Sequence, residues 1–292
     1  MKADWIHELF FASQTPPLAI VVAHPDDEVI GLGAQLRRWP HAHFIYVTDG
    51  APSHSPDPWN AGCLTPEQYA AARQRESISA LTLAGVGLNQ IHSLCFTDQQ
   101  TALNLVSITE ALVAKFLELQ PRYVITHPYE GGHPDHDSTA FAVHTAQEIL
   151  RRENVMAPVI LETTSYFNRA GIMATSEFLP RARTEIHTCV LTDSEKQFKR
   201  RLFNCFKTQQ NVLQYFPIGV ERVRLAPHYD FSRAPHEGRL YYELFNWGTT
   251  GERWRKLATA AAHRMLDRDE SQPATELPAS TVLHSTYESH GA

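Results

Sequence analysis

Five short apolar runs alternate with longer helical patterns over the first two thirds of the sequence. The runs show no clear alternation of polar and apolar residues, as is typical of strands buried on both faces of a parallel sheet. We therefore predict an α/β fold with a doubly wound, mostly parallel sheet and right-handed crossovers. The predicted strands are residues 18–23, 43–48, 91–96, 123–126 and 159–163.

The helices between these strands carry start and stop signals. Thr65-Pro66-Glu67-Gln68 is a capping box with proline at the first helical position, and it predicts a helix that runs to Gly85. A second capping box, from Thr192 to Glu195, begins a helix that continues to about residue 210. Further helices are predicted over 104–120, from Asp137 to about 152, and over 253–266.

The sequence predicts one α/β domain over residues 1–270, with a core over about 17–210. Residues 217–250 hold three prolines and several aromatic and arginine residues, and we expect residues 211–270 to add strands and loops that lie over the sheet. Residues 271–292 are rich in Ser, Thr, Pro and Ala and have few large apolar side chains, so a flexible tail is predicted there.

Composition limits the classes of partner. Lys and Arg number 26 against 32 Asp and Glu, a net charge of −6, so no basic surface indicates nucleic acid or an anionic membrane. The longest apolar run is far shorter than the ~20 residues that span a bilayer. The four cysteines form no Cys-x-x-Cys pair and the N-terminus lacks a signal-peptide pattern, so a cytoplasmic protein with reduced thiols is expected. A homo-oligomer is compatible with the sequence.

Polar residues that can carry chemistry follow the first predicted strand. Ala23-His24-Pro25-Asp26-Asp27-Glu28 lies at its carboxyl end, where ligands bind in open α/β sheets. His24 and Asp27 are three residues apart and share a face of a first helical turn, whereas Asp26 points elsewhere. The alternative is that the three acidic residues only favour a helix N-terminus through its dipole.

A second segment of this kind, Tyr129-Glu130-Gly131-Gly132-His133-Pro134-Asp135-His136-Asp137, follows the predicted strand 123–126. It repeats the His-Pro-Asp tripeptide and leads into a helix. Taken alone, it is equally compatible with a plain loop in which Asp137 caps the helix. Because the fold brings the carboxyl ends of parallel strands together, we expect the two segments to meet.

Together the two segments supply two imidazoles and one carboxylate, the ligand set of a catalytic zinc site with positions open for water and substrate. Asp26 is then free to take a proton from water, and the remaining histidine can stabilise a developing oxyanion. The sequence therefore indicates metal-assisted hydrolysis of an amide or ester. The same ligands suit iron(II) oxygen chemistry, which would leave Asp26 and one histidine without a role.

The motif Ala23-His24-Pro25-Asp26-Asp27-Glu28, together with His133-Pro134-Asp135-His136, resembles the PIG-L (LmbE-like) family of zinc-dependent de-N-acetylases. Val47-Thr48-Asp49-Gly50 and Arg73-Gln74-Arg75-Glu76 are also similar to family segments, and the resemblance covers roughly residues 17–205. The family fold is Rossmann-like, in agreement with the predicted sheet. Family substrates are mostly N-acetylated amino sugars, among them glycolipids, thiol–sugar conjugates, chitin-type oligomers and glycopeptides.

Carried over residue by residue, the resemblance implies a metal site and two catalytic groups. His24, Asp27 and His136 would bind Zn²⁺, with Fe²⁺ as the alternative metal. Asp26 would be the general base, and His133 would be the electrophilic or acid group at the scissile carbonyl.

Two further side chains would act around these five. Asp135 would tune His133, and Arg73 would contact a hydroxyl group of the sugar. The resulting expectation is a metal-dependent hydrolase that removes the acetyl group from an N-acetylated amino sugar or its conjugate. An amidase acting on a larger sugar conjugate, and a non-catalytic sugar-binding protein on the same scaffold, are the alternatives.

Weaker candidates lie outside these motifs. Residues 51–66 form a long polar loop with Trp59 that is either a lid or an ordinary surface connection. His127, at the end of a strand, is expected to be structural or to lie behind the ligands. A sugar-binding wall could include seven residues, although surface or core packing is the better explanation for each one alone: Tyr166, Arg224, His228, His236, Arg239, Tyr241 and Trp247.

Overall fold

The structure is a computed structural model that describes residues 4–53, 57–181, 184–245 and 247–267. The predicted tail over 271–292 lies outside these ranges, and the extent of the predicted domain over 1–270 stays a prediction. Within the described ranges the strands are β1 Leu18–Val22, β2 His43–Thr48, β3 Ile91–Phe96, β4 Tyr123–Thr126, β5 Val159–Thr163, β6 Tyr166–Arg169, β7 Ile172–Thr175, β8 Ile186–Val190 and β9 Val220–Leu225.

Seven of these strands form one sheet in the order β3-β2-β1-β4-β5-β9-β8, and β6 and β7 form a separate hairpin. The first five strands are parallel to one another. β9 is antiparallel to both β5 and β8. The α/β fold and the mostly parallel, doubly wound sheet are therefore confirmed, and the strand order reverses between β1 and β4.

The expectation that residues 211–270 lie over the sheet is wrong for β9, which pairs between β5 and β8 within the sheet. β9 carries buried charges that disguise it in the sequence: Glu221 pairs with Lys199 at 2.8 Å, and Arg224 pairs with Glu162 at 2.8 Å. All four side chains are almost fully buried. Each charge is compensated by a residue far away in the chain, which no local sequence pattern reveals.

The helices in the described ranges are α1 Asp27–Leu32, α2 Asp57–Asn60, α3 Pro66–Leu83, α4 Leu105–Leu119, α5 Pro134–Arg152, α6 Asp193–Phe203, α7 Gln210–Leu213 and α8 Gly251–Leu266. The capping box of α3 is confirmed at its N-cap, because the Thr65 hydroxyl accepts a hydrogen bond from the Gln68 amide. Two predicted bounds are wrong. α5 begins at Pro134 with His133 as its N-cap, not at Asp137, and α6 ends at Phe203 before the shorter α7.

Alternate residues of the central strands enter two apolar cores on opposite faces of the sheet. In β1, Ile20 and Val22 belong to the core that also contains α6 residues, whereas Val21 belongs to the core formed with α4 and α5. Both faces are therefore covered, which explains the continuously apolar runs in the sequence. No helix in the described parts of the chain is long and apolar enough to cross a membrane.

Candidate metal centre

The carboxyl ends of β1 and β4 meet where the strand order reverses, which is the position at which open α/β sheets bind ligands. His24 and Asp27 follow β1, while His133 and His136 follow β4. The four side chains are buried and close together, as expected from the sequence. They expose between 3% and 7% of their surface, so the centre lies below the molecular surface.

Donor atoms of three of these side chains lie close together, with each oxygen of the Asp27 carboxylate near a different histidine. His24 Nδ1 lies 3.3 Å from Asp27 Oδ2 and 3.3 Å from His136 Nε2. His136 Nε2 lies 3.2 Å from Asp27 Oδ1. Ligands bound at about 2.1 Å in a tetrahedral zinc site are separated from one another by about 3.4 Å. The distance between the two nitrogens fits ligands of one metal ion, and the Asp27 carboxylate presents one oxygen to each of them.

The other nitrogen of each histidine has a partner that orients the ring. His24 Nε2 lies 3.2 Å from both Asp98 Oδ1 and Asp135 Oδ2. His136 Nδ1 lies 3.0 Å from the Ser165 hydroxyl oxygen. Metal-binding histidines usually make a bond of this kind with the ring nitrogen that does not face the metal. This chemistry of the donor set also fits a metal ion.

The charges in this cluster are strongly coupled. Burial alone would lower the pKa of His24, but the carboxylates of Asp98, Asp135 and Asp27 outweigh it and raise that pKa well above its usual value. Burial alone would raise the pKa of Asp27, but His136 and His127 hold it well below its usual range. The concentration of buried carboxylates around His24 is the environment in which a cation is stabilised.

Asp26, the predicted base, lies immediately before α1 in an unusual backbone conformation. Its φ of 142° is rare for any residue with a side chain, and the Glu28 carboxylate accepts a hydrogen bond from its amide at 3.1 Å. Arg73 donates to Asp26 Oδ2 at 2.9 Å. Burial raises the pKa of Asp26 to about 7 despite the opposing effect of the Arg73 charge. A carboxyl group with such a pKa can exchange protons near neutral pH.

Arg73 is bound to the protein rather than open to solvent. It is 5% exposed, and besides Asp26 it donates to the carbonyl oxygens of Pro25 and Gly50, each at 2.8 Å. Gly50 has a φ of +65°, and a Cβ atom there would lie only 2.8 Å from the Arg73 guanidinium, so glycine permits this approach. The contacts assign Arg73 a role in holding Asp26; the sugar contact implied by the resemblance stays a prediction.

His133 lies beside the three donors but is held in a different way. Its Nδ1 accepts the backbone amide hydrogen of Asp135 at 3.1 Å and so caps α5. In the neutral ring the hydrogen is therefore on Nε2, which can donate to a substrate. Burial, with His24 close by, lowers the pKa of His133 well below its usual value and favours this neutral form.

The carboxylate of Asp135 lies closer to the His24 ring than to the His133 ring. It lies 3.2 Å from His24 Nε2 and 3.9 Å from His133 Nδ1. It also accepts hydrogen bonds from the Gln99 amide at 2.7 Å and the Thr101 hydroxyl at 2.5 Å. Asp135 contacts His133 directly through its backbone amide instead, and this bond fixes the tautomer of the His133 ring.

Sequence reasoning missed two neighbours of the centre, Asp98 and Ser165. Asp98 follows β3, and the rule that located the other residues at strand ends could have found it. Ser165 follows β5 in the same way. His127, expected to lie behind the ligands, stacks on His136 with ring centroids 4.0 Å apart, and its Nε2 is 3.3 Å from Asp27 Oδ2.

The described residues contain three overlapping groups of donors that could hold a metal ion. None of these groups contains His24, Asp27 and His136 together, and the group of His24, His133 and His136 is the direct competitor of the predicted set. The other groups are His24 with Asp98, His133 and Asp135, and Asp27 with His127 and His136. His133 is the less suitable ligand, because its Nδ1 is engaged by the helix.

Comparison with known proteins finds a family whose model matches part of the chain. Residues 19–147 match the PIG-L family, described as GlcNAc-PI de-N-acetylase. The 1D-myo-inositol 2-acetamido-2-deoxy-alpha-D-glucopyranoside deacetylase of Mycobacterium tuberculosis is 32% identical over 146 residues. That match covers 42% of this chain and 48% of the relative, so the chain spans about half the length of the curated relatives it matches.

Solved structures share the fold. The A40926 pseudoaglycone deacetylase Dbv21 is 21% identical with a TM-score of 0.54, over 73% of this chain and 98% of that one. The 4-carboxy-2-hydroxymuconate hydratase GalB of Pseudomonas putida is 16% identical with a TM-score of 0.50, over 73% and 98%. These identities establish a common fold, and the fold alone does not choose between deacetylation and hydration.

Proposed function

We propose that this chain, whose residues 19–147 match the PIG-L family, is a metal-dependent hydrolase that removes the acetyl group from an N-acetylated amino sugar or its conjugate. The observation that carries the proposal is the spacing of His24 Nδ1, His136 Nε2 and the Asp27 carboxylate, with Asp26 directly beside them. The named activity of the mycobacterial relatives supports the class of substrate.

In this proposal His24, Asp27 and His136 hold the metal, with zinc and iron(II) as the candidate ions. The chemistry that a divalent ion supplies at such a site is Lewis acidity, which polarises a carbonyl oxygen and lowers the pKa of water. The partners of the outer ring nitrogens, Asp98 and Ser165 among them, orient the two imidazoles for this task.

Asp26 takes a proton from water as the oxygen attacks the acetyl carbon. Its pKa of about 7 leaves a large fraction ionised at neutral pH while keeping it basic enough for the transfer. Arg73 holds the carboxylate in place through Oδ2. The proton taken by Asp26 is then available to the sugar nitrogen when the carbon–nitrogen bond breaks, which releases acetate and a free amine.

His133 stabilises the negative charge that develops on the carbonyl oxygen. The capping bond to the Asp135 amide keeps its hydrogen on Nε2, so the ring donates without first having to reorganise. Loss of a single donor of this kind costs roughly 10²–10³ in rate in other hydrolases. His133 is therefore a donor to the oxyanion in this proposal, and not a metal ligand.

The experiment is an acetate-release screen with the purified chain loaded separately with Zn²⁺ and Fe²⁺. N-acetylglucosamine glycosides with different aglycones are the substrates, and acetate and primary amine are both measured. We expect the two products in equal amounts, and a metal-free sample should be inactive. The matched variant Asp26→Asn should retain its metal and lose most of the activity.

Two results would contradict the proposal. Tight sugar binding with no acetate from any substrate would favour the non-catalytic alternative. Dioxygen consumption by the iron-loaded chain, unaffected by Asp26→Asn, would favour oxygen chemistry. In a parallel series of glucosamine glycosides with longer N-acyl groups, hydrolysis in preference to the N-acetyl substrates would instead assign the amidase alternative.

A further inference from the structure

A closed circuit of aromatic rings starts and ends at the proposed catalytic centre. The ring centroid of Tyr166 lies 5.3 Å from that of His136 and 5.5 Å from that of Tyr241. The centroid of Phe245 lies 5.2 Å from that of Tyr241 and 4.7 Å from that of Trp247. The circuit closes at His133, whose centroid lies 4.7 Å from that of Trp247 and 5.3 Å from that of His136. We call Tyr166, Tyr241, Phe245 and Trp247 the aromatic wall. Three of its members, Tyr166, Tyr241 and Trp247, are candidates from the sequence that the structure brings together.

The aromatic wall is much more exposed than the centre it touches. Phe245 is 43% exposed, and the other three rings are partly exposed, whereas His133 is 6% exposed. Single exposed apolar residues are common on protein surfaces and need no explanation. Four rings in mutual contact next to a buried polar centre form a continuous apolar surface, and such surfaces commonly mark ligand-binding sites.

The two glycines before His133 allow the wall to pack on the catalytic loop. The Tyr241 amide donates to the Gly131 carbonyl at 2.8 Å. A Cβ atom on Gly131 would lie 2.7 Å from the Leu240 side chain, and one on Gly132 would lie 2.0 Å from the Tyr166 carbonyl oxygen. Any larger residue at these positions would displace the wall from the loop. The wall is therefore held in a fixed position relative to His133.

A cleft of about 460 Å³ adjoins the wall at Phe245. Phe245 lines this cleft and stacks on Trp247, which in turn contacts His133. The rest of the lining is mostly polar: Arg239, Glu243, Gly248, Thr249, Thr250 and Arg253. An aromatic platform with guanidinium and hydroxyl groups around it can stack on the flat face of a ring and donate hydrogen bonds to its substituents.

We propose that the aromatic wall and this cleft form a subsite for the group attached to the N-acetyl sugar, and that this group carries a ring with an apolar face. The inference rests on the proposed deacetylase activity, which places the scissile amide at His133 and the metal ligands. Atoms beyond the amino sugar then lie against Trp247 and Phe245. The substrate is accordingly a conjugate or an oligomer, and its ring is either a second sugar or an aromatic group.

Three substrates with the same amide test the proposal: the methyl and the phenyl β-glycoside of N-acetylglucosamine, and N,N′-diacetylchitobiose. The metal-loaded chain should hydrolyse at least one ring-bearing substrate with a kcat/KM about five- to tenfold above that of the methyl glycoside, as ring stacking commonly provides. Preference for the phenyl glycoside assigns an aromatic ring, and preference for the disaccharide assigns a second sugar.

The variant Phe245→Ala should reduce this preference about fivefold, and Phe245→Trp should restore it. The control variant is Phe11→Ala, because Phe11 is also highly exposed but contacts His187 and no ring of the wall. Phe11→Ala should leave the ratio of kcat/KM values unchanged. An equal ratio in the Phe245→Ala and wild-type chains would overturn the subsite while leaving the deacetylase activity intact.

Binding measurements distinguish failure of the proposed subsite from failure of the proposed deacetylase activity. In the Asp26→Asn background, calorimetry should give a lower Kd for the ring-bearing substrates than for the methyl glycoside, and Phe245→Ala should remove the difference. If no substrate releases acetate but this difference is present, the proposed activity fails and the subsite stands. Equal Kd values for all three ligands, or no binding of any, would overturn the subsite.

Discussion

The same tripeptide, His-Pro-Asp, follows two neighbouring strands and has a different surrounding in each place. His24-Pro25-Asp26 follows β1, and His133-Pro134-Asp135 follows β4. After β1 the helix begins one residue beyond the tripeptide, at Asp27. After β4 the helix begins inside it, at Pro134. The position of the helix start relative to the tripeptide accounts for the differences between the two.

The two histidines differ in which ring nitrogens are available. His24 Nδ1 faces Asp27 and His136, while Nε2 faces two carboxylates. His133 Nδ1 is occupied by the amide of its own helix. Only His24 therefore has a nitrogen aimed at the common donors with a suitable partner on the opposite side.

The two aspartates differ in backbone conformation and in partners. Asp26 has a φ of 142° and is held by Arg73. Asp135 is helical, and its carboxylate accepts bonds from Gln99 and Thr101. Identical local sequence thus gives a carboxylate paired with a buried guanidinium in one place and a carboxylate that orients its neighbours in the other. Residue identity alone does not assign these roles.

The largest expected effect is a difference in kcat between variants of these two aspartates. Asp26→Asn removes the proposed base and should lower kcat by about 10²–10⁴ with the metal retained. Asp135→Asn should lower kcat by about tenfold to a hundredfold, because it weakens only the orientation of His24. Acetate release at saturating substrate measures both. Equal losses in the two variants would contradict the distinction.

Arg73 should control the pH dependence through Asp26. Asp26 acts as a base only when deprotonated, so activity falls as the pH drops through about 7. Arg73 opposes protonation, and its removal in Arg73→Met should raise the pKa of Asp26 and move the acidic limb of kcat/KM to higher pH by about one unit or more.

The matched control for this shift is Arg73→Lys, which keeps the positive charge. We expect its acidic limb to stay closer to that of the wild type. If Arg73 instead contacts a sugar hydroxyl, as the family resemblance implies, Arg73→Met would raise KM and leave the acidic limb in place.

A smaller effect, of opposite sign at the two aspartates, concerns stability. Asp26→Gly and Asp26→Ala both lose the carboxylate, but only glycine relieves the strained φ, so the glycine variant should be more stable by about 1 kcal/mol or more. At Asp135, which is helical, Asp135→Gly should be less stable than Asp135→Ala by about 0.5–1 kcal/mol. Denaturant unfolding of the four metal-free variants measures this. If the glycine variant were more stable than the alanine variant at both positions, or less stable at both, the result would contradict the account.

The sequence predicts the parallel half of the sheet well, and burial explains this for β1, β2, β4 and β5 but not for the edge strand β3, which has no buried residue. β2, β3, β4 and β5 have the predicted bounds, and β1 ends one residue early, at Val22. These strands lie next to one another in the parallel part of the sheet and are mostly apolar. β8 alternates exposed and half-buried residues, and β9 carries buried Glu221 and Arg224, so neither gives a local signal of a core strand.

The candidate site is likewise predictable in its position but only partly in its contacts. The rule that strand ends meet brings His24, Asp27 and His136 together correctly. The helix start at Pro134, and with it the tautomer of His133, depends on backbone geometry that spacing does not reveal. The aromatic wall depends on Tyr166 meeting Tyr241, Phe245 and Trp247 in space, although more than 70 residues separate Tyr166 from the other three.

The most direct test of the central claim is the metal content of two chains that carry the same substitution. His24→Asn and His133→Asn are loaded with Zn²⁺, dialysed, and measured by mass spectrometry for metal per chain. Asparagine preserves a cap for α5, so His133→Asn should remain folded. The account predicts about one metal ion in His133→Asn, as in the wild type, and little in His24→Asn. Loss of the metal from His133→Asn, or its retention in His24→Asn, would contradict the account and favour a site that includes His133.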